Sequence, residues 1–526
     1  MQRGSVLDIP VQSGDPLTPN IGATADAKRI PIAEASVIMK IPALPISYAD
    51  AKPLLAALGG QVVPRPWRGA LPITYHAGPG PARVHLSLQS DWSLKPLYDV
   101  IAVMRGSERP DEWVIRANHR DGWVFGAWDP LAGQTALLEE ARSIGALAKT
   151  GWRPRRTIVY ASWDGEEPGL LGSTEWAETH ADELKAKAVL YVNTDENTRG
   201  LLAAQASYST ERLIDQAAAD VKDPETGASV RDRAIAGLEV RGVAEGASAD
   251  DQRLAKAAAA PGADLPIGPM GSGSDYTPFV QHLGVASINF TYGGEGEQTG
   301  VYHSQYDTFE HYTRFGDPGL RYGVVMAETG GRLVLRAADA DVAPFQFGDL
   351  AANIADNLEE LHKLVATMRE RSAAVDRLLD QNAFALAADP TKAGAPPPRD
   401  DAVPALDFGP LDAAVARLKT SAAAYDAALA AAASPPPDAA KLDTVLIGVE
   451  HALTDPQGLP GRPWYQHLIY APGMLTGYGA KTLPGVREAI EGRRWAEAAE
   501  FIGRTAKAID AASDQINAAA ALLKPR

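Results

Sequence analysis

The sequence predicts an α/β fold, a mostly parallel sheet flanked by helices, on three observations. Three apolar runs, WVIRANHRDGW, TIVYASWDGEE and AVLYVNTDEN, read as strands between Val114 and Asp195. Their apolar residues are nearly continuous, the pattern of strands covered on both faces. Between the first two lies LAGQTALLEEARSIGALAKTG, with Ala136, Leu137, Ala141 and Ile144 at helical spacing and Gly151 as a stop. Strand–helix–strand order of this kind needs a crossover connection and so predicts parallel pairing.

The rest of the 526-residue chain divides around that core, long enough for roughly three domains of about 150 residues. Residues 1–93 are rich in Pro and Gly, and short alternating runs such as ARVHLSLQS predict small strands and loops. Residues 94–340 carry the alternating strand and helix patterns. Residues 341–526 turn helical from Asp349, with Leu350, Ile354, Leu358, Leu361 and Val365 at three- and four-residue steps. Two tracts, ALAADPTKAGAPPPRDDAVPA and AAASPPPDAA, read as linkers between long helices, and the region as an antiparallel bundle.

Composition narrows the function. A net charge of −16 without a long basic run argues against nucleic acid as a partner. No apolar run reaches the ~18 residues of a membrane span, and MQRGSVLDIP lacks the apolar centre of a signal peptide. The chain has no cysteine, so a zinc site here must use nitrogen and oxygen ligands.

Such ligands are supplied where the predicted strands end: His119 and Asp121 after the first, Glu166 and Glu167 after the second, Asp195 after the third. Asp129 follows in GAWDPLAG, and His303 lies far downstream in GVYHSQYDTFE. Ligands of parallel sheets bind beyond the carboxyl ends of the strands, where these residues fall. Two histidines and several carboxylates there suit a two-zinc hydrolase, whose ions about 3.5–4 Å apart acidify water and polarise a carbonyl. Glu166 and Glu167 are adjacent and cannot both point the same way from extended backbone. We therefore assign Glu167 to metal and Glu166 to general base and then acid. Asp121, two residues after His119, is placed to orient that ring and is counted with Glu166 in the catalytic group. A lone histidine, an EE pair or Asp195 as a helix cap would each be unremarkable, but three successive strands ending in ligand types are not. His303 is the least determined by pattern, since His180, His282 and His311 compete with it.

HRDGWVFGAWDP, WRPRRTIVYASWDGEEPGLLGSTEWAE, YVNTD and VYHSQYDTFE resemble the catalytic domain of the glutamate carboxypeptidase II and transferrin receptor family. DPQGLPGRPWYQHLIYAPG resembles the family's helical dimerisation domain and SGDPLTP its apical domain, so the resemblance covers nearly the whole chain. It implies a di-zinc exopeptidase fold over 94–340, the C-terminal part of a β-rich apical domain over 1–93, and a dimerisation bundle over 341–526. It implies two zinc ions per chain, one on His119 and Asp195, the other on Glu167 and His303, with Asp129 bridging and Glu166 as base. It also implies a structural calcium ion held by Glu175 and Glu178 with the carbonyls of Thr18 and Ile21. Tyr302 and Tyr478 match tyrosines that hold a substrate α-carboxylate. A homodimer and an exported location are implied by the family alone.

The departures shape the expected specificity. Positions that carry arginines in acid-preferring members are Gln205, Asn289 and Thr291 here, and a glutamate-binding lysine falls at Gly477. Each lost charge-assisted partner removes about 1.5–3 kcal/mol. The expectation is a carboxypeptidase or dipeptidase acting on short peptides with a non-acidic side-chain preference. An aminopeptidase of the same clan, which would anchor an α-amine with a carboxylate, and a catalytically silent receptor-like binding protein are the alternatives. Because MQRGSVLDIP aligns inside the apical domain, the true start is expected upstream of Met1.

Overall fold

The three apolar runs become neighbouring strands of one sheet. The computed structural model describes residues 4–295, 300–391, 394–432, 436 and 438–524. Six strands build the sheet: β1 Val100–Met104, β2 Arg109–His119, β3 Arg156–Trp163, β4 Ala188–Asn193, β5 Gly200–Ala206 and β6 Ser287–Gly294. Their spatial order is β1-β3-β2-β4-β6-β5. The inner four run parallel, and the edges β1 and β5 pair antiparallel. Burial explains the split. Every residue of β3 and β4 is buried, while β1 has no buried residue and β5 mixes buried with exposed ones.

Helices α1 Leu131–Lys149, α2 Leu171–Thr179 and α3 Arg321–Asp339 cover the sheet. α1 buries Ala136, Leu137 and Ile144 and packs against α3 and β2. Val114, Ile115, Ile158, Leu190 and Val192 are fully buried at the centre, each contributing about 1.5–3 kcal/mol of apolar burial. In register, His119 lies opposite Trp163 and Ala117 opposite Asn193. The carboxyl ends of β3, β2 and β4 are therefore level, and the chain leaving them enters one space.

The C-terminal region holds α4 Gly348–Asp380, α5 Gly409–Ala431, α6 Ala439–Ala452 and α7 Trp495–Leu522. Leu350, Ile354, Leu358, Leu361 and Val365 are all buried. α4 and α5 run antiparallel: His362 meets Asp412 at 3.0 Å, and Gly348 at the start of α4 lies against Asp426 near the end of α5. Residues 453–483 depart from the helical expectation. DPQGLPGRPW breaks helix with five closely spaced Pro and Gly positions. This stretch forms turns and a short ladder, Tyr470–Pro472 with Ala480–Thr482, and buries Trp464, Tyr465, His467 and Tyr470.

α6 is tied to the sheet by Asp443. Fully buried, it accepts from Arg109 Nη1 at 2.5 Å and from the Ala343 N–H at 2.6 Å, and it pairs closely with the buried Arg156. Arg156 also donates to Glu112 at 2.5 Å and to the carbonyls of Ala337 and Ala340.

Residues 4–93 hold less regular structure than expected. One α-helix, Tyr48–Ala56, two single turns of 3-10 helix, Ile32–Glu34 and Arg65–Trp67, and one ladder, Gly59–Val62 with His76–Gly78, stand among turns. ARVHLSLQS is exposed and forms neither helix nor strand, so alternation alone did not make it a strand; a strand needs a partner edge and a core to face. Among the described residues no helix is long and apolar enough to cross a membrane.

Candidate metal centre

His119 is the last residue of β2, Glu166 and Glu167 lie just beyond β3, and Asp195 lies two residues beyond β4. Asp129 stands at the entrance to α1, after a turn whose backbone is fixed from far away: Asp307 accepts the N–H groups of Trp128 at 2.7 Å and Asp129 at 3.1 Å. His303 sits in the same downstream turn as Asp307. Its φ of +53° is unusual for a non-glycine residue, and its ring stacks on Tyr302 at 3.6 Å.

These side chains converge. His303 Nε2 lies 3.1 Å from both Asp129 Oδ2 and Glu167 Oε2. His119 Nε2 lies 3.5 Å from Asp129 Oδ1 and 3.9 Å from Asp195 Oδ1. The two oxygens of Asp129 thus face different histidines, the arrangement a bridging carboxylate needs. The ligand atoms of Asp129, Glu167 and His303 lie within 4.8 Å of one another, and all three are buried. A nitrogen and oxygen donor set of this kind, closed off from solvent, fits zinc.

The adjacent glutamates separate as their chemistry requires. Glu167 turns to His303 and accepts the Trp123 N–H at 3.1 Å, while Glu166 Oε2 comes 3.9 Å from His119. Asp121 holds both from behind, its two oxygens accepting the N–H groups of Glu166 at 3.0 Å and Glu167 at 3.2 Å. His119 Nδ1 meets the main-chain oxygen of Asp121 at 3.1 Å, closer than the carboxylate at 3.5 Å. Asp121 therefore meets the ring through both its main chain and its carboxylate, and the same carboxylate positions the glutamates. A relay fixes Asp195: Trp163 donates to Tyr191, Tyr191 to Asn193, and Asn193 Nδ2 to Asp195 Oδ1 at 3.1 Å.

Electrostatics follow from this crowding of charge. Burial drives the Glu166 carboxyl well above its usual range, against the pull of His119 and with Asp275, Asp195 and Glu167 adding to the rise. Burial opposes the charge on His303, but Asp129 and Glu167 outweigh it and raise the ring to about 9. Asp129 is held down to about 2: its two histidine partners overcome the cost of burial. Groups this far from their ordinary values cluster where chemistry is done.

Tyr302, Tyr478, Trp123, Leu170, Gly273 and Glu196 wall the cavity above the centre, with Ser5 and Ile9 at its N-terminal side. No Lys or Arg lines it among the described residues. Tyr478 arrives on the loop of the Tyr470–Thr482 ladder and presses on Gly273, where a Cβ would stand 2.5 Å from its ring. Gly273 also has φ +99°, so only glycine suits the position. Gln205 and Asn289 face each other across β5 and β6, and Thr291 Oγ1 donates to the main-chain oxygen of Glu196 at 2.8 Å. Gly477 is a left-handed turn residue with open space about it.

The four residues considered for calcium lie around α2. Glu175 accepts the N–H groups of Asp15 and Ala23 at 2.6 Å each and the Thr18 hydroxyl at 3.3 Å. Glu178 accepts from Trp464 at 2.8 Å. Thr18 is buried and the Ile21 side chain is exposed.

Residues 99–316 match the model of Peptidase family M28, and residues 406–517 that of the Transferrin receptor-like dimerisation domain. The chain therefore carries a peptidase family M28 domain. It is 33% identical over 512 residues to the probable glutamate carboxypeptidase LAMP1 of Arabidopsis thaliana, covering 95% of this chain and 65% of that one. It is 30% identical over 547 residues to the aminopeptidase NAALADL1 of Rattus norvegicus, covering 100% of this chain and 66% of that one. The chain thus spans about two-thirds of the length of these relatives. A zinc aminopeptidase structure from Bacillus subtilis aligns at 18% identity with a TM-score of 0.32, over 46% of this chain and 50% of that one.

Pattern reasoning passed over Asp307, Asn193, Glu196 and Asp275. The last is fully buried behind the centre with neither carboxylate oxygen hydrogen-bonded. Asn193 and Glu196 flank Asp195 in YVNTDEN, so their neighbour could have flagged them. Asp307 and Asp275 carried no signal beyond being acidic.

Proposed function

We propose that this chain is a di-zinc exopeptidase that hydrolyses peptide bonds of short peptides, of carboxypeptidase or dipeptidase type. One observation carries the reading: five ligand-type side chains and one further glutamate meet at the level ends of three parallel strands, with the oxygens of Asp129 divided between two histidines. His119 and Asp195 would hold one ion, Glu167 and His303 the other, and Asp129 both. When bound, the pair supplies Lewis acidity, polarising the scissile carbonyl and bringing a water's pKa to about 7. Glu166, unassigned to metal and raised by burial, takes the proton from the attacking water and delivers it to the leaving amine. Tyr302 and Tyr478 receive the substrate's α-carboxylate. The absence of Lys and Arg from the lining supports a preference for neutral or apolar side chains.

The zinc-loaded protein is expected to cleave dipeptides ending in Leu at least as fast as those ending in Glu, and a chelator to abolish the activity until zinc is restored. A strong preference for C-terminal Glu would overturn the specificity. Less than about one zinc per chain, with no hydrolysis, would favour a receptor-like binding protein. The relative named an aminopeptidase supports a second reading, in which the substrate's amino end is the one held.

We read residues 1–93 as apical, 94–340 as peptidase and 341–526 as dimerisation region, through which two copies pair, and infer an exported location. Thr18, Ile21, Glu175 and Glu178 are read as a structural calcium site. Burial lifts Glu175 to about 8 and Glu178 to about 7. Both folded values exceed the ordinary carboxylate range, so their contribution is full below about pH 4.5 and lost as pH rises through 7 and 8. Without calcium, Tm is expected to fall between pH 5 and 8, and millimolar calcium to remove most of that fall. Identical melting profiles with and without calcium would rule the site out.

A further inference from the structure

Five carboxylates line the cavity: Asp129, Glu166, Glu167, Asp195 and Glu196. The reading above gives work to four, and Glu196 is left over. Its backbone is pinned, since Thr291 donates to its main-chain oxygen at 2.8 Å and Asp195 precedes it. Half-buried, it lines the same cavity as Asp129, Asp195 and His119. That lining offers it no Lys or Arg among the described residues. A half-buried carboxylate in a cavity without a basic side chain is stabilised when a ligand brings the positive charge.

We propose that Glu196 receives a positively charged nitrogen of the substrate, the α-ammonium of a short peptide. Proximity favours that nitrogen: it is one bond from the Cα that bears the scissile carbonyl when the peptide's first bond is cleaved, whereas a lysine ammonium sits at the end of a long flexible stem. This deepens the exopeptidase reading and rests on it. With Tyr302 and Tyr478 at the carboxylate end, a dipeptide would be held at both termini. Such an enzyme measures the length of its substrate by its two charges.

The test is calorimetric binding to the zinc-loaded Glu166→Gln protein, which separates recognition from turnover. Alanyl-leucine is expected to bind about 10- to 100-fold more tightly than N-acetyl-alanyl-leucine. In Glu166→Gln/Glu196→Gln, with zinc content verified, the two should bind within about threefold of each other. N-acetyl-lysyl-leucine identifies the source of charge: tight, Glu196-dependent binding would support the carboxylate's role and move the nitrogen to the side chain. Equal binding of free and blocked dipeptides, an equal loss for both on Glu196→Gln, or no binding of any would overturn the proposal. Hydrolysis by the unsubstituted protein separates the two claims. Equal cleavage of blocked and free dipeptides keeps the exopeptidase and discards the role of Glu196. Absence of cleavage with the binding difference intact does the reverse.

Discussion

Replacing Glu166 by Gln is expected to lower kcat by about 10²- to 10⁴-fold, the usual worth of a positioned general base, while zinc content stays unchanged. Three features make this the cleanest substitution in the site. Gln keeps the shape of the buried side chain, and the Glu166 N–H that donates to Asp121 at 3.0 Å is untouched. The carboxylate is the member of the cluster that the proposed ligand set does not use. The loss corresponds to about 2.7–5.4 kcal/mol of transition-state stabilisation. Since burial and the neighbouring carboxylates raise Glu166, the acid limb of the pH–rate profile should vanish along with kcat. A variant retaining more than about a tenth of wild-type turnover would remove Glu166 from the mechanism.

Asp443→Ala is expected to destabilise the protein by about 3–5 kcal/mol, because it takes one of two counter-charges from the fully buried Arg156, which keeps Glu112, and removes the acceptor of Arg109 and of the Ala343 N–H. The cost is not that of a salt bridge as such. Arg142 and Glu139 on α1 also pair closely, but at 71% and 47% side-chain exposure; breaking that pair should cost less than about 1 kcal/mol. Urea unfolding of both variants makes the comparison. If Asp443→Ala costs no more than the exposed pair, the joint between α6 and the sheet is not a structural requirement.

How much was legible depended on distance along the chain. β2, β3 and β4 were readable because burial on both faces writes a continuous apolar run, and a run that stops at an acid or a histidine marks its own carboxyl end. His119, Glu166, Glu167 and Asp195 come from that signal. His303 does not: it lies 174 residues from Asp129, and only resemblance singled it out from ten histidines. Asp307 was invisible because its work is to hold two backbone amides, which leaves no trace in side-chain pattern. The ARVHLSLQS segment shows the converse error, in which period-two alternation was present and a pairing partner was not. In 453–483 the prolines and glycines announced the break in helix, yet nothing local said where the broken chain would go.

Where it goes has a bearing on any attempt to shorten this protein. The ladder that delivers Tyr478 lies beyond α6, well past the last strand of the sheet, yet its tip rests on Gly273 and closes one wall of the reaction chamber. Trimming at the end of α3 would keep every proposed zinc ligand and leave the chamber with a side missing. A minimal version must retain the tail or graft a substitute wall, so the stretch after α6 belongs to the architecture of the cavity as well as to the packing of the C-terminal region.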